Sequence, residues 1–188
     1  MIETLKNAWH IPDLRKKMLY TAFILLLYRL GSAIPVPYID FVMLQQIFEK
    51  YGSTLLGYFN ILSGGALSNA TLFALSITPY INASIIVQLL TIAIPALERL
   101  AKEGGEEGQK KLASITRYST VALGLLMGFT YYIMLKNQAL LTKTDIWSAV
   151  VIIVTFTAGS ALVMWLGEQI TDKGIGNGIS LILFAGIL

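Results

Sequence analysis

The fold class that this sequence predicts is an all-α, polytopic membrane helix bundle, and three observations predict it. Hydrophobic residues fill 55% of the 188 positions and charged ones 13%, with a mean hydropathy of +0.68, far from the balance of a soluble domain. The apolar residues gather into runs near the ~20 that a helix needs to cross ~30 Å of hydrocarbon. Lys and Arg are shared unevenly between the segments separating those runs. Cysteine is absent, so neither a disulfide framework nor thiolate chemistry is available.

In chain order, residues 1–17 predict an interfacial segment, because Ile2, Leu5 and Trp9 recur at helical spacing before Pro12. A first span follows over 18–36. It carries Arg29 near its far end, where a cation must snorkel outward or pair. A secretory signal fits poorly, since no A-x-A cleavage site follows and further spans do. Span 3 is expected over 118–135 and span 4, the cleanest, over 146–166. A fifth begins over 178–188, a stretch that rises only about 16 Å as a helix. That length predicts a helix cut short, whose remainder is expected elsewhere.

The second segment is the unusual one. Every position over 51–97 is uncharged, which as one continuous helix would measure about 70 Å. Two crossings would absorb that length, but charge placement opposes them. With a single crossing, Lys6, Arg15, Lys16, Lys17, Arg99, Lys102, Lys110, Lys111, Arg117 and Lys173 share one side, and Arg29, Lys50, Lys136 and Lys143 the other. That bias follows the positive-inside rule with the amino terminus cytoplasmic. The segment is therefore expected to enter partway as a half-helix over 57–75, break, and cross once over 76–95, leaving 96–117 as a cytoplasmic linker. Pro79 removes a backbone donor and disfavours helical geometry at Thr78, while Gly64 and Gly65 loosen the entry. Irregular backbone at membrane depth is tolerated only inside protein or beside a wet cavity, so the break predicts a cavity. On its residues alone, the stretch reads equally as a Pro-kinked span packed by small residues.

The stretch SGGALSNATLFALSITPYINASI resembles the second-helix region of the SecY family, the channel subunits of bacterial protein translocation. The resemblance continues through RLGSAIPVP at 29–37, EGGEEGQKKLASITRY at 103–118 and MWLGEQITDKGIGNGISLILFAGI at 164–187, in family order and over nearly the whole chain. Family members have ten spans in two inverted halves around a central pore. This chain resembles the amino-terminal half: four complete spans, a truncated fifth, and a re-entrant plug half-helix before the second.

By position, the resemblance implies that Ile77, Ile81, Ile179 and Leu183 contribute to an aliphatic pore ring; Leu183 stands where isoleucine is usual. Each pair is spaced i, i+4, which permits one facing stripe. A narrow apolar collar dewets and blocks ions, yet its flexible side chains can drape around a passing polypeptide. Plain helix packing is the other reading of Ile179 and Leu183. Phe59, Ile61, Leu62, Ser63, Gly64, Gly65 and Ala66 fall in the family's plug, although a Gly-rich apolar loop also serves as a simple connection. Asn82, Gln88 and Thr116 match the lateral gate, with a Gln88–Thr116 hydrogen bond expected on closure; interhelical bonding worth ~0.6–2 kcal/mol is compatible with that role.

Other features read as structural. Gly124 and Gly128 form a G-x-x-x-G suited to close helix approach. GIGNG at 174–178 lacks the basic and hydroxyl residues of a phosphate loop and reads as a tight turn. The linker KEGGEEGQKK is solvated and offers only a weak docking signal for a motor or ribosome.

Other function classes fit the residues less well. A broken-helix secondary transporter or ion channel is the serious rival, but all eleven Asp and Glu fall in tails, loops or span ends, away from the midplane. An intramembrane enzyme lacks a nucleophile–base pair, and the sole histidine, His10, precedes the first span. The sequence thus predicts no catalytic residue, no metal and no cofactor. It points to half of a passive protein-conducting channel in the bacterial plasma membrane. The partners implied by the resemblance are the second half of the channel, SecE, SecG, SecA or a ribosome, the secretory polypeptide and the lipid bilayer, with no direct nucleic-acid binding. An antiparallel self-dimer is disfavoured by the charge bias.

Overall fold

A computed structural model describes residues 11–50, 52 and 54–187, with the side chains at 55, 56, 59 and 62 outside that description. The interfacial segment expected around Ile2, Leu5 and Trp9, together with His10, lies outside the described residues. Among the described residues all regular structure is helical, apart from isolated bridges pairing Pro35 with Thr71 and Ile39 with Leu141.

Helix α1 runs Pro12–Gly31, with Pro12 in its first turn, Asp13 beside the positive end of the dipole and Arg29 in the last turn. It ends five residues before the expected 36. The Ser32 hydroxyl donates to the Tyr28 carbonyl at 3.0 Å, and Pro35 and Pro37 bar continuation. A short amphipathic helix not expected from the sequence, α2, follows at Phe41–Lys50. Its first turn is capped by Asp40, whose carboxylate accepts from the N–H groups of Val42 (3.1 Å) and Met43 (3.2 Å), and it buries Leu44 and Phe48.

The uncharged second segment is broken. Helix α3, Leu55–Leu62, gives way to turns through residue 77, and α4 begins at Thr78 with Pro79 in its first turn and runs to Ala93. The half-helix is thus shorter than the expected 57–75, because Gly64 and Gly65 adopt φ of 63° and 78° and stop it. A second break at Ile94 and Pro95 turns the chain by 102° into α5, Pro95–Lys102, so part of the expected linker is helical.

Helices α6, Gly105–Asn137, and α7, Ile146–Lys173, are each long and apolar enough to cross a membrane; α4 and α5 make a third candidate if counted as one bent span. At 33 residues α6 measures about 50 Å, well beyond the ~30 Å of hydrocarbon, so it absorbs the rest of the expected linker. Helix α7 continues seven residues past the expected 166, and α8 occupies Gly178–Ile187.

Helices α6 and α7 pack intimately because Gly124 and Gly128 present no side chain. A Cβ at Gly124 would lie 3.0 Å from the Ser160 hydroxyl, and one at Gly128 3.3 Å from the Ile153 carbonyl oxygen. Two apolar clusters form the interior. One joins α2, the 66–75 loop, α6 and α7 around Leu44, Leu135, Leu140 and Phe156; the other joins α1, α7 and α8 around Tyr28, Phe73, Ile77, Ile170 and Ile182.

The broken loop is pinned on α7 by Gly159, where even a methyl would fall 1.9 Å from the Leu72 carbonyl oxygen. Gly159→Ala should therefore destabilise the protein by about 1–3 kcal/mol through overpacking. The check is a lowered melting temperature in detergent, with Val154→Ala on the exposed face of the same helix changing little.

Candidate functional site

The site is built around the loop joining α3 to α4. Besides its two glycines, Ala70 and Ser76 take φ of 45° and 49°, the left-handed region that side chains rarely occupy. Such a path survives because its polar groups are bonded into the surrounding structure. Leu72 N–H donates to the Ile34 carbonyl at 2.9 Å, Val36 N–H to the Ala70 carbonyl at 2.9 Å, and the Tyr131 hydroxyl to the Leu67 carbonyl at 2.7 Å. Phe73 lies against the bare face of Gly31 and stacks on Tyr28, with ring centroids 5.6 Å apart.

Where the loop meets α4, the four expected collar residues converge. Ile77 belongs to the second apolar cluster, and Ile81, Ile179 and Leu183 pack against it. Two of them, Ile77 and Ile179, reach Gly167 on α7. A Cβ there would lie 3.5 Å from Ile77 Cδ1, 3.5 Å from Ile179 Cγ1 and 3.4 Å from Ile182 Cδ1. Ile77 is fully enclosed, whereas Ile81, Ile179 and Leu183 keep part of their surface. Sequence reasoning missed Gly167, which stands just past the expected end of span 4 beside Glu168, with no local signal to mark it.

The base of α8 is held on three sides. Gly178 packs on the Gly167 carbonyl oxygen, where a Cβ would fall 1.9 Å away, and its N–H donates to the Thr171 hydroxyl at 3.0 Å. Ile175 N–H donates to the Thr21 hydroxyl of α1 at 3.1 Å. Asn177 caps the helix, accepting from Ile179 N–H at 3.0 Å, so GIGNG is the tight turn expected.

Of the expected plug residues, Ser63 and Ala66 are buried, Gly65 is half-buried and Ile61 is exposed. Gly64 meets α8, and the side chains of Phe59 and Leu62 lie outside the described residues. The expected Gln88–Thr116 hydrogen bond is not formed. Gln88 is exposed and its amide donates to the Ser84 hydroxyl at 3.3 Å, while the Thr116 hydroxyl donates to the Leu112 carbonyl at 3.0 Å. Each polar group takes a partner one turn back on its own helix, which short side chains do readily. Asn82 is also exposed on α4.

An ion pair escaped the sequence reading because its members stand 51 residues apart. Arg117 of α6 donates from Nε to Glu168 Oε1 of α7 at 2.9 Å. With side chains 51% and 18% exposed, such a pair contributes about 0.2–1 kcal/mol. Among the described residues no cluster of His, Cys, Asp and Glu is arranged to hold a metal.

The family model for SecY matches residues 71–188, from within the broken loop onward. The chain is 45% identical to the protein translocase subunit SecY of Streptomyces scabiei and 42% identical to that of Mycobacterium bovis, over its whole length in each case. It spans about 45% of the length of these relatives. Its fold is similar to that of Sec61 in the canine ribosome–channel complex from the endoplasmic reticulum, with a TM-score of 0.63 at 20% identity, covering 92% of this chain and 36% of the other. A second solved structure, of a protein-conducting channel, matches with the same score, identity and coverage. A membrane-embedded helical bundle with a broken second segment, matched along its length by these relatives, belongs to the SecY family.

Proposed function

We propose that this chain is the amino-terminal half of a protein-conducting channel, which passes unfolded secretory polypeptides across the plasma membrane and membrane segments sideways into it. The observation that carries the reading is that Ile77 and Ile179, from two separate parts of the chain, meet on the bare face of Gly167, with Ile81 and Leu183 packed against the same apolar cluster. An aliphatic ring of this kind excludes water and ions when its side chains meet, and yields to any polypeptide without reading its sequence.

In this reading α1, the bent α4, α6 and α7 are the four spans, α8 begins the fifth, and α3 is the plug, with the amino terminus cytoplasmic. The positive-inside bias supports that orientation. Ile77 anchors the collar from within the packed core, while Ile81, Ile179 and Leu183 offer the surface that a substrate meets. Asn82 and Gln88, exposed on α4, face the lateral gate, with Thr116 on the neighbouring helix. The second half of the channel completes the ring. SecE and SecG are the companion subunits, and SecA or a ribosome supplies the driving force.

In the assembled channel, Ile81→Gly should raise the resting ion conductance of planar bilayers severalfold, since the collar loses its most accessible member on α4. Wild-type conductance would remove Ile81 from the ring. Gln88→Leu should change export of a precursor with a weakened signal sequence severalfold relative to one with a normal signal. An unchanged ratio would leave Gln88 as an ordinary surface residue of α4.

A further inference from the structure

We propose that the outer cleft between α2 and the loop joining α3 to α4 is a binding groove for the backbone of an extended polypeptide, occupied by the chain as it leaves the collar. The inference rests on the channel reading and adds to it a second place where substrate is held.

The cleft follows from how α2 is fastened. Asp40 N–H donates to the Leu140 carbonyl at 2.9 Å, and Leu44 and Phe48 are buried, so one side of α2 is fixed on the bundle. Gln45 and Glu49 stay exposed. Between α2 and the loop lie two adjoining hollows of about 240 and 400 Å³, both lined by Gln45 and Asn69. The Gln45 amide donates to the Asn69 side-chain carbonyl and bridges the cleft where the two hollows meet. Lys50 ends α2, and Lys143 lies over the Tyr38 ring just before it; both belong to the sparsely basic side of the chain, the outer one.

The lining is neutral apart from one carboxylate. Ser32 and Thr71 contribute to the smaller hollow, Ser68, Asn60 and Glu49 to the larger, and among the described residues no Lys, Arg or His lines either. An anion finds no positive charge here, and a hard cation finds a single carboxylate where it needs several oxygen ligands. A peptide backbone, with N–H and C=O in alternation, finds both kinds of partner. Gln45 spends one N–H on Asn69 and keeps its other N–H and its carbonyl oxygen uncommitted among the described residues. Asn69 gives one N–H to the Gly65 carbonyl at 2.9 Å and keeps the second. The Ser68 hydroxyl donates to the same carbonyl at 3.0 Å and keeps its lone pairs. Each hollow also has an aromatic wall, Phe41 in the smaller and Phe48 in the larger, on which side chains of many kinds can rest.

Position supplies the occupant. Asn69 stands eight residues before Ile77 on the same pinned loop, so the groove and the collar are parts of one continuous stretch of chain. A polypeptide held in the collar is tethered beside the cleft, and such tethering gives a local concentration on the order of millimolar. A few neutral hydrogen bonds to its backbone then suffice for occupancy. Because they read no side chain, the groove serves any sequence that the collar admits.

The test uses the assembled channel with a secretory polypeptide arrested in it, single cysteines along the polypeptide, and single cysteines in this chain, which has none of its own. Glu49→Cys and Ser32→Cys place a thiol in the larger and the smaller hollow. Under a mild oxidant both should form disulfides with the polypeptide, at positions farther out along it than those that pair with Ile81→Cys. Trp147→Cys, exposed at the start of α7, should form none. Gln45→Leu removes the bridging amide from an exposed position. It should lower the Glu49→Cys yield about threefold, the effect of one neutral hydrogen bond, and leave the Ile81→Cys yield unchanged. Disulfides at Ile81→Cys with none at either cleft cysteine overturn the groove and leave the channel standing. No disulfide at Ile81→Cys defeats the channel reading itself. A Glu49→Cys yield indifferent to Gln45→Leu overturns recognition of the backbone by the amide.

Discussion

The whole arrangement depends on satisfying the backbone of a chain that stops being helical inside an apolar bundle. A free N–H or C=O surrounded by hydrocarbon or aliphatic side chains costs several kcal/mol, so the break between α3 and α4 exists only because its neighbours supply partners. Ile34 and Val36, after α1, bond to Leu72 and Ala70, and Tyr131 reaches Leu67 from α6. The α1–α2 connection and α6 thus do more than add apolar surface: they provide the polar contacts that let the loop run irregularly. Two buried hydroxyls, Tyr28 Oη and Ser76 Oγ, have no partner among the described residues, and both lie next to this loop's packing.

Glycine placement is the second constraint and follows from the first. An irregular chain among helices must come close to them, and side chains would hold it off. Gly31 receives the Phe73 ring, Gly159 the Leu72 carbonyl, Gly64 the Gly186 carbonyl and Gly167 the side chains of Ile77, Ile179 and Ile182. The same device packs α6 on α7 through Gly124 and Gly128. Interhelical contact in a membrane gains little from burying apolar surface, because lipid is equally apolar, so close approach and dispersion carry the association.

Much of this was legible in the sequence, for physical reasons that differ by element. Helices α6 and α7 announced themselves because apolar runs of sufficient length have few alternatives, and the break was legible because Gly64, Gly65 and Pro79 act locally. The ends were less so: α1 stops at Gly31 and α3 at Leu62, since caps and turns, not hydropathy, end helices. Helix α2 was overlooked although Asp40 and the Leu44–Phe48 spacing signalled it. The Arg117–Glu168 pair and the roles of Gly167 and Gly186 were illegible, because each depends on which helix face meets which across a long separation. The gate residues show the reverse: Gln88 and Thr116 were paired by resemblance, yet each bonds within its own helix.

The two ends of α8 are held very differently, and that difference bears on how a collar can be both tight and yielding. Its base is fixed through Gly178 on α7 and, by way of Ile175, through Thr21 on α1, whereas near its far end the backbone of Gly186 meets that of Gly64. Ile179, one residue from the fixed base, and Ile77, in the fixed loop, therefore keep their backbones in constant register across Gly167. In the proposed ring, adaptation would then fall to side-chain rotamers, which change in picoseconds to nanoseconds where they are exposed. In the channel we propose, a collar built this way would keep its diameter through a rigid backbone on one side and adjust through mobile groups on the other. That division is what a seal for ions that must also admit polypeptides of any sequence requires.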